Sequence, residues 1–123
     1  MNFFRSKKNL KYVNYLDLIP YHIASYETNE INLVTVLIPK FSSEFAKKYI
    51  MPRLKTPFIK LKLDELGSAA WLEIDGNKKV IDIANNLSEK FGNKIQPVEE
   101  RLTKFLNQLY EQKLITFKEI KGE

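Results

Sequence analysis

Between Leu63 and Phe117 the apolar residues recur at helical spacing in three successive blocks, and turn residues separate the blocks. The first block is L-D-E-L-G-S-A-A-W-L-E-I-D-G. Asp64 stands where a helix N-cap belongs, able to accept from the free N–H groups of the first turn. Glu65 places negative charge at the positive end of the helix dipole. Leu66, Ala70 and Ile74 form one apolar stripe with Trp71 beside it, and Asp75-Gly76 ends the helix. The second block spans 79–91, with Val80, Ile83, Ala84, Leu87 and Phe91 on one stripe and Gly92 as its stop. The third opens at Pro97, a residue suited to the first helical position, and turns Val98, Leu102, Phe105, Leu106 and Leu109 inward. Leu114 to Phe117 reads as a short closing strand.

Upstream of the helices the pattern changes to period two. Tyr21 to Tyr26 and Ile31 to Ile38 read as a hairpin around the turn chemistry of Glu27-Thr28-Asn29-Glu30, with Pro39 ending the second strand. Tyr12 to Leu18 is apolar, with no clear period. Ser42 and Ser43 are positioned to cap a short helix as far as Met51, and residues 53–57 form a basic connection. Phe58 to Leu63 (F-I-K-L-K-L) is the cleanest strand, with Ile59, Leu61 and Leu63 on one face and Phe58, Lys60 and Lys62 on the other. Residues 1–11 read as a frayed, basic terminus. The expected fold is α+β: a three-stranded antiparallel sheet on a three-helix, winged-helix-like core, within one domain over 1–123.

Composition removes several chemistries. The 123 residues contain no Cys and one His, which excludes disulfides, a Cys nucleophile, thiolate or iron–sulfur ligation and an imidazole-built zinc site. The start of the chain has no secretory pattern and no apolar run is long enough to span a bilayer, so a cytoplasmic protein is expected. Residues 1–63 hold 11 Lys/Arg against 4 Asp/Glu, whereas 64–123 hold 9 against 11. The basic excess therefore lies outside the helices. A DNA reader needs its cations on the recognition helix, yet the third helix begins with Glu99-Glu100, which argues against nucleic acid. Nor do the acids form a catalytic set: Asp64 and Glu65 are explained by helix capping and Asp75 by a turn. His22 is expected to be structural or exposed, and Trp71 to be core. Phe3, Phe4 and Tyr110 carry no assignment from sequence.

The ordered phrase L-D-E-L-G-S-A-A-W-L-E-I-D-G-N-K-K-V-I-D-I-A-N-N-L, followed by F-G, V-E-E-R-L-T-K-F-L and L-I-T-F, resembles the PqqD family, small proteins of pyrroloquinoline quinone biosynthesis and their relatives. The likeness covers Leu63 to Phe117 closely; the hairpin and Pro39-Lys40-Phe41 fit it more loosely. Residues 42–57 look like an insertion relative to the shortest members. The resemblance implies a non-catalytic RiPP recognition element that needs no cofactor of its own. In such modules the leader of a precursor peptide joins the sheet as an extra strand, between the third strand and the third helix. It is then presented to a modifying enzyme such as a radical SAM maturase. Carried onto this chain, the peptide-binding positions are Phe58, Lys60 and Lys62 on the strand and Arg101, Lys104, Phe105 and Gln108 on the helix. The cations there favour a leader bearing Asp or Glu. The alternatives are a winged-helix nucleic-acid binder and an adaptor for an unrelated protein.

Overall fold

The computed structural model describes residues 14–39 and 58–120. A 3-10 turn at Tyr15–Asp17 leads into β1 (Pro20–His22), β2 (Ser25–Thr28), β3 (Val34–Pro39) and β4 (Phe58–Lys62). Helices α1 (Glu65–Glu73), α2 (Val80–Phe91) and α3 (Val98–Glu111) follow, and β5 (Ile115–Phe117) closes the order. Among the described residues the architecture is α+β, as expected, with three helices and a three-stranded antiparallel sheet in the order β2-β3-β4. A second, two-stranded sheet pairs β1 with β5. The expected short helix at 42–51, the basic connection at 53–57 and Phe3-Phe4 lie outside the described residues.

The expected first strand, Tyr21 to Tyr26, divides between the two sheets. The N–H groups of Ile23 and Ala24 both reach the carbonyl of Leu114, at 3.0 and 3.2 Å. That shared acceptor pulls the chain off one ladder and onto the other. Likewise the second strand begins at Val34 rather than Ile31. Asn29 Oδ1 accepts from the N–H groups of Ile31 and Leu33, and Asn32 has φ 63°, so the turn takes up residues that composition alone assigns to the strand.

Each helix follows its stripe. Asp64 caps α1, its Oδ1 accepting from the Gly67 N–H at 2.7 Å. Gly76, at φ 80°, makes the turn after it, where Asp75 Oδ1 accepts from the N–H groups of Asn77 and Lys78. Gly92 ends α2 by leading into a 3-10 turn over Gly92–Ile95. Pro97 precedes α3 as its N-cap residue, one position outside the expected start, and the Gln96–Pro97 bond is cis. At the far end of α3 the Leu114 N–H bonds the Leu109 carbonyl and the Lys113 N–H bonds that of Tyr110, the paired pattern of a Schellman cap. Lys113 occupies the left-handed position, at φ 63°.

The core joins the three helices to β1, β3 and β5, with Leu61 of β4 packed against it, whereas β2 is exposed along its length. Trp71, Ile83, Leu87, Leu106, Val34, Val36 and Phe117 are buried together. Trp71 is fully buried, as expected, with its indole stacked 4.1 Å from the imidazole of His22 and edge-on to Tyr26 at 5.5 Å. Tyr110 packs against Phe117, at 5.6 Å between ring centroids. Ser68 is the one polar side chain in this interior among the described residues. It accepts from the Val34 N–H at 2.8 Å and donates to the Leu63 carbonyl at 3.3 Å, tying α1 to the start of β3 and the exit of β4.

Candidate functional site

Register fixes which way each side of β4 points. Val36 pairs with Leu61 and Ile38 with Ile59, so Ile59 and Leu61 share the face of the sheet that carries buried Val34 and Val36. Phe58, Lys60 and Lys62 pair with Pro39, Leu37 and Thr35 on the opposite face. The Leu63 N–H bonds the Val34 carbonyl at 2.9 Å, which extends the ladder by one residue. In an antiparallel ladder bonded and non-bonded pairs alternate, so Ile59 and Leu61 direct their backbone groups toward β3. Those of Phe58, Lys60 and Lys62 point the other way. Among the described residues no strand lies beside that edge. Among the described residues β4 therefore leaves its outward N–H and C=O groups unpaired by any strand, at the positions that carry two exposed lysines.

A cleft of about 400 Å³ opens at the C-terminal end of β4. Lys62, Leu63 and Gly67 form one side, Arg101, Leu102 and Phe105 the other, and Ile95 and Leu87 contribute to its lining. Gly67 keeps this space open: a Cβ there would stand 3.6 Å from Phe105 Cζ and 3.1 Å from the Asp64 carboxylate. The rim is cationic. Arg101 donates from Nη1 to the Lys94 carbonyl at 3.0 Å, and Lys94 bonds Glu65 at 2.7 Å. No ion pair among the described residues engages Lys60, Lys62, Arg101 or Lys104.

Of the seven residues singled out from the sequence, Lys62, Arg101 and Phe105 meet in this cleft. Phe58 lines a separate cleft of about 500 Å³ with Ile23, Pro39, Gln112 and Lys113. Lys60, Lys104 and Gln108 are exposed and line neither. Ile59, 53% exposed although it shares the core-side face, escaped sequence reasoning. The sequence places it on one face with Leu61 and Leu63 and assigns it no role of its own; on the edge strand β4 it stays exposed.

Glu73 and Asp82 are engaged in local structure. Glu73 accepts from Asn86 Nδ2 at 2.9 Å and Lys78 Nζ at 3.0 Å; burial pushes its pKa up, but these hydrogen bonds outweigh it and the carboxyl lies below its ordinary range. Asp82 accepts from the Lys79 N–H at the start of α2. His22 donates from Nε2 to the Trp71 carbonyl at 2.9 Å, since a carbonyl only accepts. Burial lowers its pKa, with that hydrogen bond opposing the shift. Among the described residues no group of His, Asp and Glu is arranged to hold a metal ion. No helix there is long and apolar enough to cross a membrane.

Residues 60–115, from the middle of β4 to the first residue of β5, match the family model described as coenzyme PQQ synthesis protein D (PqqD). The match supports assignment of the chain to a PqqD-like family. Comparison with curated proteins and with solved structures gives no match.

Proposed function

We propose that this chain is a non-catalytic peptide-recognition protein of the PqqD type, with a winged-helix-like core. In this reading β4 takes an extended segment of a precursor peptide as an additional strand. The single observation that carries it is the open edge of β4 beside a cationic, apolar-lined cleft. Backbone groups of Phe58, Lys60 and Lys62 supply the ladder, and side-chain pockets supply selectivity. Lys60, Lys62, Arg101 and Lys104 favour a segment with Asp or Glu, while Phe58, Phe105 and Gln108 add contact surface. A segment that orders on binding gives up part of its interaction free energy, which suits a carrier that must release its cargo to a modifying enzyme such as a radical SAM maturase.

The exposed acids Glu99 and Glu100 in the first turn of α3 oppose a phosphate backbone, so peptide is preferred over nucleic acid. The test is selection from a random peptide display library on the purified protein, followed by amide hydrogen exchange with an enriched peptide. Protection of the amides of Phe58, Lys60 and Lys62 is expected. Enrichment of nothing, or protection confined to other elements, overturns the reading.

A further inference from the structure

β4 offers an incoming strand two chemically different rows, and the two rows alternate residue by residue. Ile59, 53% exposed, and half-buried Leu61 and Leu63 form the row on the helix side, ending at the cleft floored by Ile95 and Leu102. Lys60 and Lys62 form the row on the other face, each exposed and without an ion pair among the described residues. A strand laid on this edge has side-chain period two, so its successive residues meet the two rows in turn whichever direction it runs.

We infer that the segment recognised by β4 alternates acidic and bulky apolar residues, with the acids in register with Lys60 and Lys62 and the apolar residues beside Ile59 and Leu61. This rests on the peptide-strand reading above and narrows it from a net acidic preference to a pattern with a fixed phase. For an antiparallel guest the open backbone groups belong to Lys60 and Lys62, so acids occupy the hydrogen-bonded positions. The apolar residues occupy the non-bonded pairs, where side chains approach more closely. Asp or Glu opposite lysine gains a cross-strand charge pair, whereas a uniformly acidic segment would set carboxylates against Ile59 and Leu61.

The same rows disfavour a second copy of this chain as the occupant. Antiparallel pairing of β4 with its own copy about Lys60 sets lysine directly opposite lysine. Shifting the centre to Leu61 sets Lys60 against Lys62. Like charges directly opposite destabilise a strand pair. In these two registers a guest of opposite charge pattern is favoured over a second copy.

Two acetylated, amidated heptapeptides of identical composition provide the test: an alternating Asp-Leu-Asp-Leu-Asp-Leu-Asp and its blocked isomer Asp-Asp-Leu-Leu-Leu-Asp-Asp. Isothermal titration with the full chain is expected to give affinity about tenfold higher for the alternating peptide, several cross-strand pairs acting together. In the double variant Lys60→Glu/Lys62→Glu, checked for retained fold by circular dichroism, preference passes to the alternating Lys-Leu peptide. Equal binding of the two Asp isomers overturns the pattern but leaves peptide recognition standing. So does failure of both isomers alongside binding of a library-selected peptide. If no selected peptide binds either, the broader reading falls as well. Sedimentation showing a dimer that the double variant dissolves assigns the edge to self-pairing and overturns the inference.

Discussion

Ser68 Oγ lies 2.8 Å from the N–H of Val34 and holds it inside a core where Val34 itself is only 1% exposed. One hydroxyl on α1 thereby fixes the height at which β3 enters the sheet, and through the Leu63 carbonyl the point at which β4 leaves it. The clamp sits at the end of the β3–β4 ladder where the candidate edge begins.

Ser68→Ala leaves the Val34 N–H buried without that acceptor. An unpaired buried donor costs about 1–3 kcal/mol, so the variant is expected to lose that much unfolding free energy, read as a lower urea midpoint at unchanged m-value. Loss of under about 0.5 kcal/mol would show that the strand entry relaxes to find another acceptor.

The imidazole of His22, stacked on Trp71, gives stability a pH dependence whose sign is fixed. Burial lowers its pKa from the ordinary 6.5, with the hydrogen bond to Trp71 pulling the other way. Below about pH 6.5 the unfolded chain binds the proton first, so stability falls as pH drops through that value and levels off beneath the folded pKa. Above it the neutral imidazole contributes fully. Thermal melts between pH 5 and pH 8 are expected to show this slope in the wild type and a flatter one in His22→Gln. Parallel profiles would remove His22 as its source.

Lys113 holds a left-handed conformation at φ 63° in the cap between α3 and β5, a position that glycine fills without steric cost. Lys113→Gly relieves about 1–2 kcal/mol of strain and loses part of that to a more flexible unfolded chain. The expected net gain is about 0.5–1 kcal/mol, read as a higher melting temperature. A lower one would mean that the lysine side chain makes a stabilising contact.

These sites differ in how legible they are from sequence, for physical reasons. The three helices are written in their stripes because a 3.6-residue period and a capping Asp64 are local properties, and each lies over the block its residues mark, α3 starting one residue later than expected. The division of Tyr21–Tyr26 between two sheets is not local, since it depends on the Leu114 carbonyl beyond α3. The end of α3 carries no glycine signal, because Lys113 takes the left-handed position instead. At the edge, the alternation of Phe58 to Leu63 is plain in the sequence. Which lysines stand on the open ladder follows only from the pairing with β3 and the Leu63–Val34 hydrogen bond. The cleft is likewise invisible in sequence, as Gly67 and Phe105 meet through the packing of α1 against α3.

That meeting gives the most direct test of the cleft. A methyl group at residue 67 would lie 3.5 Å from Leu63 Cβ and 3.6 Å from Phe105 Cζ, ordinary contact distances, but 3.1 Å from the capping carboxylate of Asp64. Gly67→Ala gains about 1 kcal/mol of helix propensity and crowds the cap, so the two effects offset and the fold is retained. The same methyl occupies space that an apolar side chain of a guest strand would fill. A misplaced methyl in an apolar pocket is worth about 1–3 kcal/mol, and affinity for a library-selected peptide is expected to drop about fivefold or more. Phe105→Leu, which enlarges the same cleft, is expected to shift preference toward bulkier apolar anchors. Unchanged affinity in Gly67→Ala, with melting temperature preserved, would place the bound side chains away from α1.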